Sequence, residues 1–155
     1  RRYEARQLRY LIDDLIATTP DENLLVVGDF NDTPDSSPLS TLIARQRNPR
    51  GQLYDLRPTD PHGLAWTHCF EAQDTYSRID YALASYALVP ELVLEQTALP
   101  VLPAQAVASD HRPLCIAIRP RDRTPGDADF KVFERNVRRR PPAGPDAAAE
   151  DGQAP

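Results

Sequence analysis

Residues 24–32 read LLVVGDFND and join an apolar run to a polar cluster. Four apolar residues in succession, closed by Gly28, are typical of a strand that is buried on both faces. Asp29 and Asn31 follow two positions apart, so in an extended chain both side chains leave on one side. Open α/β sheets bind ligands beyond the carboxyl ends of their strands, so we expect a functional site here. A turn that merely ends the strand is the alternative, since Asn and Asp also favour turns.

Helical and extended patterns alternate around this stretch. A helix is predicted over 3–17, where apolar residues line one face at Leu8, Leu11, Ile12, Leu15 and Ile16. A second helix is predicted over 38–44, because a proline fits the opening helical turn. Residues 47–64 are rich in Pro and Gly and are predicted to be loop. Strands are predicted at 66–70, 79–83, 92–94 and 114–118. This order predicts a mixed α/β layered fold.

Length and composition limit the class of protein. The chain has 155 residues and a formal net charge of −5, with 41% hydrophobic and 26% charged residues. These values are typical of one soluble globular domain. No apolar run is long enough to span a membrane, and the compartment stays open. The acidic balance argues against a protein that holds nucleic acid by bulk charge alone.

The carboxy-terminal region differs in character from the rest. We predict a folded portion over residues 1–119 and a Pro/Ala/Arg-rich, disordered tail over 120–155, where the apolar periodicity vanishes. Within the tail, residues 130–140 combine two Phe with four Arg. Such a segment could contact a nucleic-acid backbone. A solvated tail is the simpler interpretation.

The cysteines suggest neither a disulfide nor a zinc site. Cys69 and Cys115 lie far apart in sequence and among strand-like residues, so we predict two buried free thiols. A zinc site built on His62, His68 and Cys69 would need a fourth ligand at a sensible spacing, and none is nearby.

Two further polar clusters could carry chemistry. In the RIDY sequence, Asp80 lies between apolar residues of a predicted strand, where an ionised carboxylate is costly unless it is paired. The alternative is a solvated pair of Arg78 and Asp80 on an edge strand. In the SDHRPL sequence, Asp110 and His111 point to opposite sides of an extended chain. Each therefore needs its own partner, a cation for Asp110 and a carboxylate for His111, unless His111 is a loop residue without a role.

The motifs GDFN, RIDY and SDHRPL, in this order, resemble the carboxy-terminal half of the endonuclease/exonuclease/phosphatase family of metal-dependent phosphodiesterases. The resemblance runs from the first helix to Ile118 and includes Trp66-Thr67 at a strand start. It implies a DNase I-like, four-layer α/β sandwich, of which this chain supplies the second half only. The implied reaction is metal-dependent hydrolysis of phosphodiester or phosphomonoester bonds by a nuclease or phosphodiesterase.

The resemblance implies roles for five residues. Asp29 matches the carboxylate that orients and deprotonates the attacking water, and Asn31 matches the amide that holds that water or the phosphate oxygens. His111 matches the catalytic histidine at the scissile phosphate, and Asp80 matches the carboxylate bonded to it. Asp110 matches an acidic residue near the divalent metal. Oxygen ligands of this kind suit Mg²⁺ or Mn²⁺.

The family's first half supplies further groups that this sequence does not contain: an Asn and a Glu that bind the metal, and another His. We therefore expect two partners, a phosphate-ester substrate that could be nucleic acid and a missing amino-terminal half of the same domain. Half a sandwich leaves one sheet face apolar and uncovered, so we expect the isolated chain to be poorly active and prone to associate. The alternative is a catalytically incomplete remnant that acts as an interaction module.

Overall fold

A computed structural model describes residues 1–44, 49–103 and 105–120. The helices are α1 (Arg2–Thr18), α2 (Ser37–Ile43) and α3 (Gln105–Ala108). The strands are β1 (Leu25–Asp29), β2 (Tyr54–Asp55), β3 (His68–Phe70), β4 (Thr75–Ser77) and β5 (Asp80–Ala84). Short 3₁₀ turns occupy Pro49–Gly51, Glu71–Gln73, Val89–Glu91 and Leu94–Gln96. The protein is therefore mixed α/β, as predicted. The tail predicted over 120–155, with its 130–140 segment, lies outside the described residues apart from Pro120.

The strands form two antiparallel sheets, one with the order β1-β5-β2 and one that pairs β3 with β4. The central strand is β5, whose residues 81–84 are at most 1% exposed. In contrast, β1 pairs only with β5 among the described strands, and its Val27 is 58% exposed. The prediction that the apolar run ending at Gly28 is buried on both faces is therefore wrong, because β1 is an edge strand. An open apolar depression beside it is lined by Leu25, Val27, Gly28, Asp80, Tyr81, Leu114 and Ile116.

The side chains of β5 alternate between the two faces of the sheet, and those on each face pack with a different cluster. Tyr81 and Leu83 pack with α1, α2 and Leu53, whereas Ala82 and Ala84 pack with a second cluster that includes Tyr54 and Leu56. Within the described ranges, no helix has both the length and the apolar character needed to cross a membrane.

Helix α1 buries the predicted face only in part, at Ile12 and at the partly buried Leu15 and Ile16. Leu8 and Leu11 are exposed, while Ala5, Arg9 and Ile12 are buried. The Arg9 guanidinium donates to the carbonyl oxygens of Leu42 (3.0 Å) and Gly51 (2.8 Å). These bonds turn the Arg9 side of α1 toward α2, so that Leu8 and Leu11 face outward. The buried charge is compensated by these acceptors and by Asp13.

Three further predictions are corrected by the structure. The segment predicted to be loop over 47–64 contains β2, which forms because Tyr54 and Asp55 pair with the buried strand β5. The segments 92–94 and 114–118 are not continuous strands, since a 3₁₀ turn begins at Leu94 and a single isolated bridge, between Leu92 and Ile118, joins the two. Both cysteines are free, but Cys69 is half-buried and Cys115 is exposed, because the bridged segment that carries Cys115 lies at the surface.

Candidate active site

Two carboxylates from separate motifs meet at one end of the larger sheet. The antiparallel register of β1 and β5 places Asp29 directly opposite Asp80. Like charges opposite each other across two strands destabilise the pair unless a cation or hydrogen-bond donors lie between them. This end of the sheet therefore requires compensating groups.

Asp29 is held by a local turn. The backbone N–H of Asn31 donates to Asp29 Oδ1 (2.8 Å), and the Asn31 amide donates to Asp29 Oδ2 (2.9 Å). The φ angle of Asn31 is 52°, in the left-handed region, and that of Gly28 is 152°. The expectation of an extended chain at Asn31 is therefore wrong. The side chains of Asp29 and Asn31 lie together because the chain turns. The strand-ending turn and the polar cluster are therefore both present and are not alternatives.

Asp80 contacts the imidazole of His111. His111 Nδ1 lies 2.9 Å from Asp80 Oδ2 and 3.2 Å from Oδ1. An ionised carboxylate only accepts hydrogen bonds, so Nδ1 carries the proton and Nε2 is left for other partners. The Asp80 side chain is 12% exposed and that of His111 is 30% exposed, so the pair lies half-buried at the surface. His111 thus has the carboxylate partner that the sequence analysis expects for it.

Asp110 faces a histidine that the sequence analysis does not assign. Its side chain is 63% exposed, and Oδ2 lies 3.5 Å from His68 Nε2. A backbone bridge between His68 and His111 brings the two imidazole rings to a centroid distance of 4.7 Å. The pairing of β3 with residues 110–112 could have pointed to His68, but this pairing is not visible in either segment alone.

Thr67 connects the parts of the site. Its buried hydroxyl oxygen accepts from the backbone N–H groups of Ile79 and Asp80, both at 3.0 Å. Its backbone N–H donates to the Ser77 carbonyl, and its own carbonyl accepts from the N–H of Arg112. Thr67 therefore ties the start of β5 to the segment that carries His111.

Arg78 has a different partner from the one considered for it. It forms a bidentate ion pair with Asp55 on β2, at 2.9 and 2.6 Å, and both side chains are largely buried. Its guanidinium also lies 4.4 Å from the centre of the Tyr81 ring. The interpretation of Arg78 and Asp80 as a solvated pair is therefore wrong, and Asp80 is left to His111.

A second buried ion pair involves Arg112, the residue that follows His111. Arg112 Nη2 donates to Asp60 Oδ2 at 3.1 Å, and the two side chains are 3% and 4% exposed. Burial opposes the ionisation of Asp60, but hydrogen bonds from the backbones of Leu64 and His62 and from Arg112 together hold its pKa below 3.8. The Arg112 guanidinium also stacks on Trp66 at 4.3 Å.

Two overlapping groups of side chains could hold a metal ion among the described residues. One comprises Asp29, Asp80 and His111, and the other His68, Asp110 and His111. Within each group the ligand atoms lie within 4.8 Å of one another. The exposed carboxylates of Asp29 and Asp110 offer oxygen donors, which fit a hard divalent cation.

The described fold and this cluster define a mixed α/β protein with a histidine–carboxylate site at the end of an antiparallel sheet. The profile of the Endonuclease/Exonuclease/phosphatase family matches residues 1–111, from α1 to His111. The chain belongs to this family, whose members are generally hydrolytic phosphoesterases. Comparisons with curated proteins and with solved structures give no match.

Proposed function

We propose that the protein is a Mg²⁺- or Mn²⁺-dependent hydrolase of phosphodiester bonds, of the nuclease or phosphodiesterase type. The observation that supports this is the convergence of Asp29, Asp80 and His111, which come from three separate motifs. A phosphodiester is anionic and resists nucleophilic attack. Its hydrolysis therefore needs a base for water and a positive group at the phosphate, and this cluster offers both.

In this proposal Asp29 orients the attacking water and accepts its proton. Each oxygen of Asp29 already accepts one hydrogen bond from Asn31 and retains a second lone pair for water. The Asn31 amide fixes the direction of the carboxylate and lies where it can also contact the water or a phosphate oxygen. Exposure of both residues leaves room for the substrate.

His111 acts at the phosphate through Nε2. Because Asp80 holds Nδ1–H, the ring has a fixed orientation, and a protonated ring donates from Nε2 to a phosphate or leaving-group oxygen. Asp80 in turn stabilises the positive charge of that ring. The arrangement resembles other histidine–carboxylate pairs in which the carboxylate orients the imidazole without taking its proton.

Asp110 would hold the divalent metal, and the overlapping group of Asp29, Asp80 and His111 offers two further carboxylates. When bound, the metal would neutralise charge on the phosphate. An amino-terminal half of the same domain would supply the remaining ligands. The substrate is a phosphate ester, and nucleic acid belongs to this class.

The test is hydrolysis of bis(p-nitrophenyl) phosphate with and without Mg²⁺ or Mn²⁺. We expect a slow, metal-dependent reaction that a chelator abolishes. His111→Ala should lower kcat by about 10²- to 10⁴-fold, because it removes a general acid or base. His62→Ala is the matched control, since His62 is exposed and outside the cluster, and its rate should equal that of the wild type.

Two outcomes contradict the proposal. A rate that His111→Ala leaves unchanged removes the catalytic assignment. A wild-type protein without metal-dependent hydrolysis supports the alternative, a member of the fold that acts as an interaction module.

A further inference from the structure

His68 takes no part in the proposed reaction, yet it lies inside the candidate site. Its side chain is 18% exposed, and Nε2 lies 3.5 Å from Asp110 Oδ2. The His68 and His111 rings are neighbours across the bridge between β3 and the segment of residues 110–112. One carboxylate together with two imidazoles is a different donor set from the oxygen ligands assigned above.

Each of the two imidazoles has a polar neighbour at Nδ1. His111 Nδ1 bonds Asp80, and His68 Nδ1 lies 3.5 Å from the Ser77 hydroxyl. If each Nδ1 donates to its partner, the lone pair of each Nε2 is available. Histidines that bind metals usually donate their other ring N–H to a carboxylate, a carbonyl or another fixed acceptor, which orients the ring. The two Nε2 atoms are therefore the ligand atoms that this arrangement favours.

The spacing of the donors also fits a transition-metal ion. With bonds of about 2.1 Å, the ligand atoms of a tetrahedral zinc site lie about 3.4 Å apart. The distance of 3.5 Å between His68 Nε2 and Asp110 Oδ2 is close to this value. One ring nitrogen of His68, one of His111 and a carboxylate oxygen of Asp110 lie within 4.8 Å of one another. Imidazole ligands favour Zn²⁺ over Mg²⁺.

We propose that His68, Asp110 and His111 form a Zn²⁺ site, with water in the fourth position. The rejected zinc site of the sequence analysis shares only His68 with this one, because its missing ligands come from the segment of residues 110–112. Zn²⁺ at this site would occupy His111 Nε2. If the proposed function is correct, Zn²⁺ at this site should inhibit hydrolysis. The binding of Zn²⁺ itself does not require the proposed function.

The chain suits a direct test because it has three histidines. We would titrate ZnCl₂ into the full chain and record two-bond ¹H–¹⁵N spectra of the imidazoles. The signals of His68 and His111 should shift with the pattern of a ligated Nε2, and the signal of exposed His62 should stay in place. Shifts confined to His62, or no shift at all, would overturn the proposal.

Variants separate this site from the neighbouring carboxylates. His68→Ala and Asp110→Asn should each weaken Zn²⁺ binding, measured by calorimetry, by about tenfold or more. His62→Ala and Asp29→Asn should leave it unchanged. If Asp29→Asn weakens binding and His68→Ala does not, the ion lies with Asp29 and Asp80, and the proposal is wrong. If the imidazole signals of His111 in metal-free His68→Ala match those of the wild type, the pair with Asp80 is intact and the variant is folded. Binding without hydrolysis would contradict only the proposed function.

Discussion

The two sides of the candidate site are held by different kinds of contact. Asp29 takes both of its hydrogen bonds from Asn31, two residues away. The His111–Asp80 pair, in contrast, joins residues that are 31 positions apart. It is supported by Thr67 and by the Asp60–Arg112 ion pair, which are themselves long-range contacts. The first side therefore forms wherever the local turn forms, whereas the second depends on the folded state of the whole described region.

The largest expected effect lies on the long-range side. Arg112→Ala removes one partner of a buried ion pair and leaves Asp60 charged and unpaired. We expect the free energy of unfolding to fall by about 3–5 kcal/mol, measured by urea denaturation. The matched control is Asp21→Asn, which breaks the exposed pair of Asp21 and Arg50 and should cost at most about 1 kcal/mol. Equal losses in the two variants would contradict the contrast between the two kinds of contact.

A smaller loss of stability is expected at Thr67, which also supports the long-range side of the site but carries no charge. Thr67→Val keeps the volume but leaves the N–H groups of Ile79 and Asp80 without their hydroxyl acceptor. The loss should be about 1–3 kcal/mol, and kcat should fall because Asp80 no longer holds His111 in place. Thr67→Ser keeps the hydroxyl and serves as the control. A valine variant with wild-type stability and kcat would show that Thr67 does not position Asp80.

Low pH should weaken the Asp60–Arg112 ion pair on the long-range side, because Asp60 becomes protonated. Because the pKa of Asp60 is lower in the folded protein than its ordinary 3.8, the unfolded chain takes up the proton first as the pH falls. The stabilisation is complete above pH 3.8 and is lost as the pH falls from there through the folded-state pKa. The stability difference between the wild type and Asp60→Asn should therefore shrink in this range, measured by thermal unfolding. A difference that is independent of pH would contradict the ionised pair.

Local patterns in the sequence identify much of the fold. The predicted helices over 3–17 and 38–44 agree with α1 and α2 to within one residue at each end, because the apolar spacing of α1 and the proline in the first turn of α2 are local features. The sequence wrongly predicts that Leu8 and Leu11 are buried. No local rule predicts that the Arg9 side chain is buried instead, against the carbonyl groups of α2 and Gly51. The two-residue strand β2 is missed because it exists only through its pairing with β5.

In the candidate site, too, the residues found from the sequence belong to local motifs, and the residues missed are placed by long-range contacts. The GDFN, RIDY and SDHRPL motifs point to Asp29, Asp80 and His111, since each residue type is recognisable within its own motif. Thr67 and His68 gain their places through the backbone contacts of residues 67–69 with residues 110–112. These contacts are distant in sequence and carry no local pattern, so sequence reasoning does not find them.

The smallest expected effect tests the local side of the site at Asn31. The positive φ angle at this residue costs an ordinary side chain about 1–2 kcal/mol, whereas glycine adopts it freely. Asn31→Ala should therefore be about 1 kcal/mol less stable than Asn31→Gly, although both lose the amide bond to Asp29. Urea denaturation of the two variants measures the difference. Equal stabilities would mean that the turn does not require the left-handed conformation at this residue.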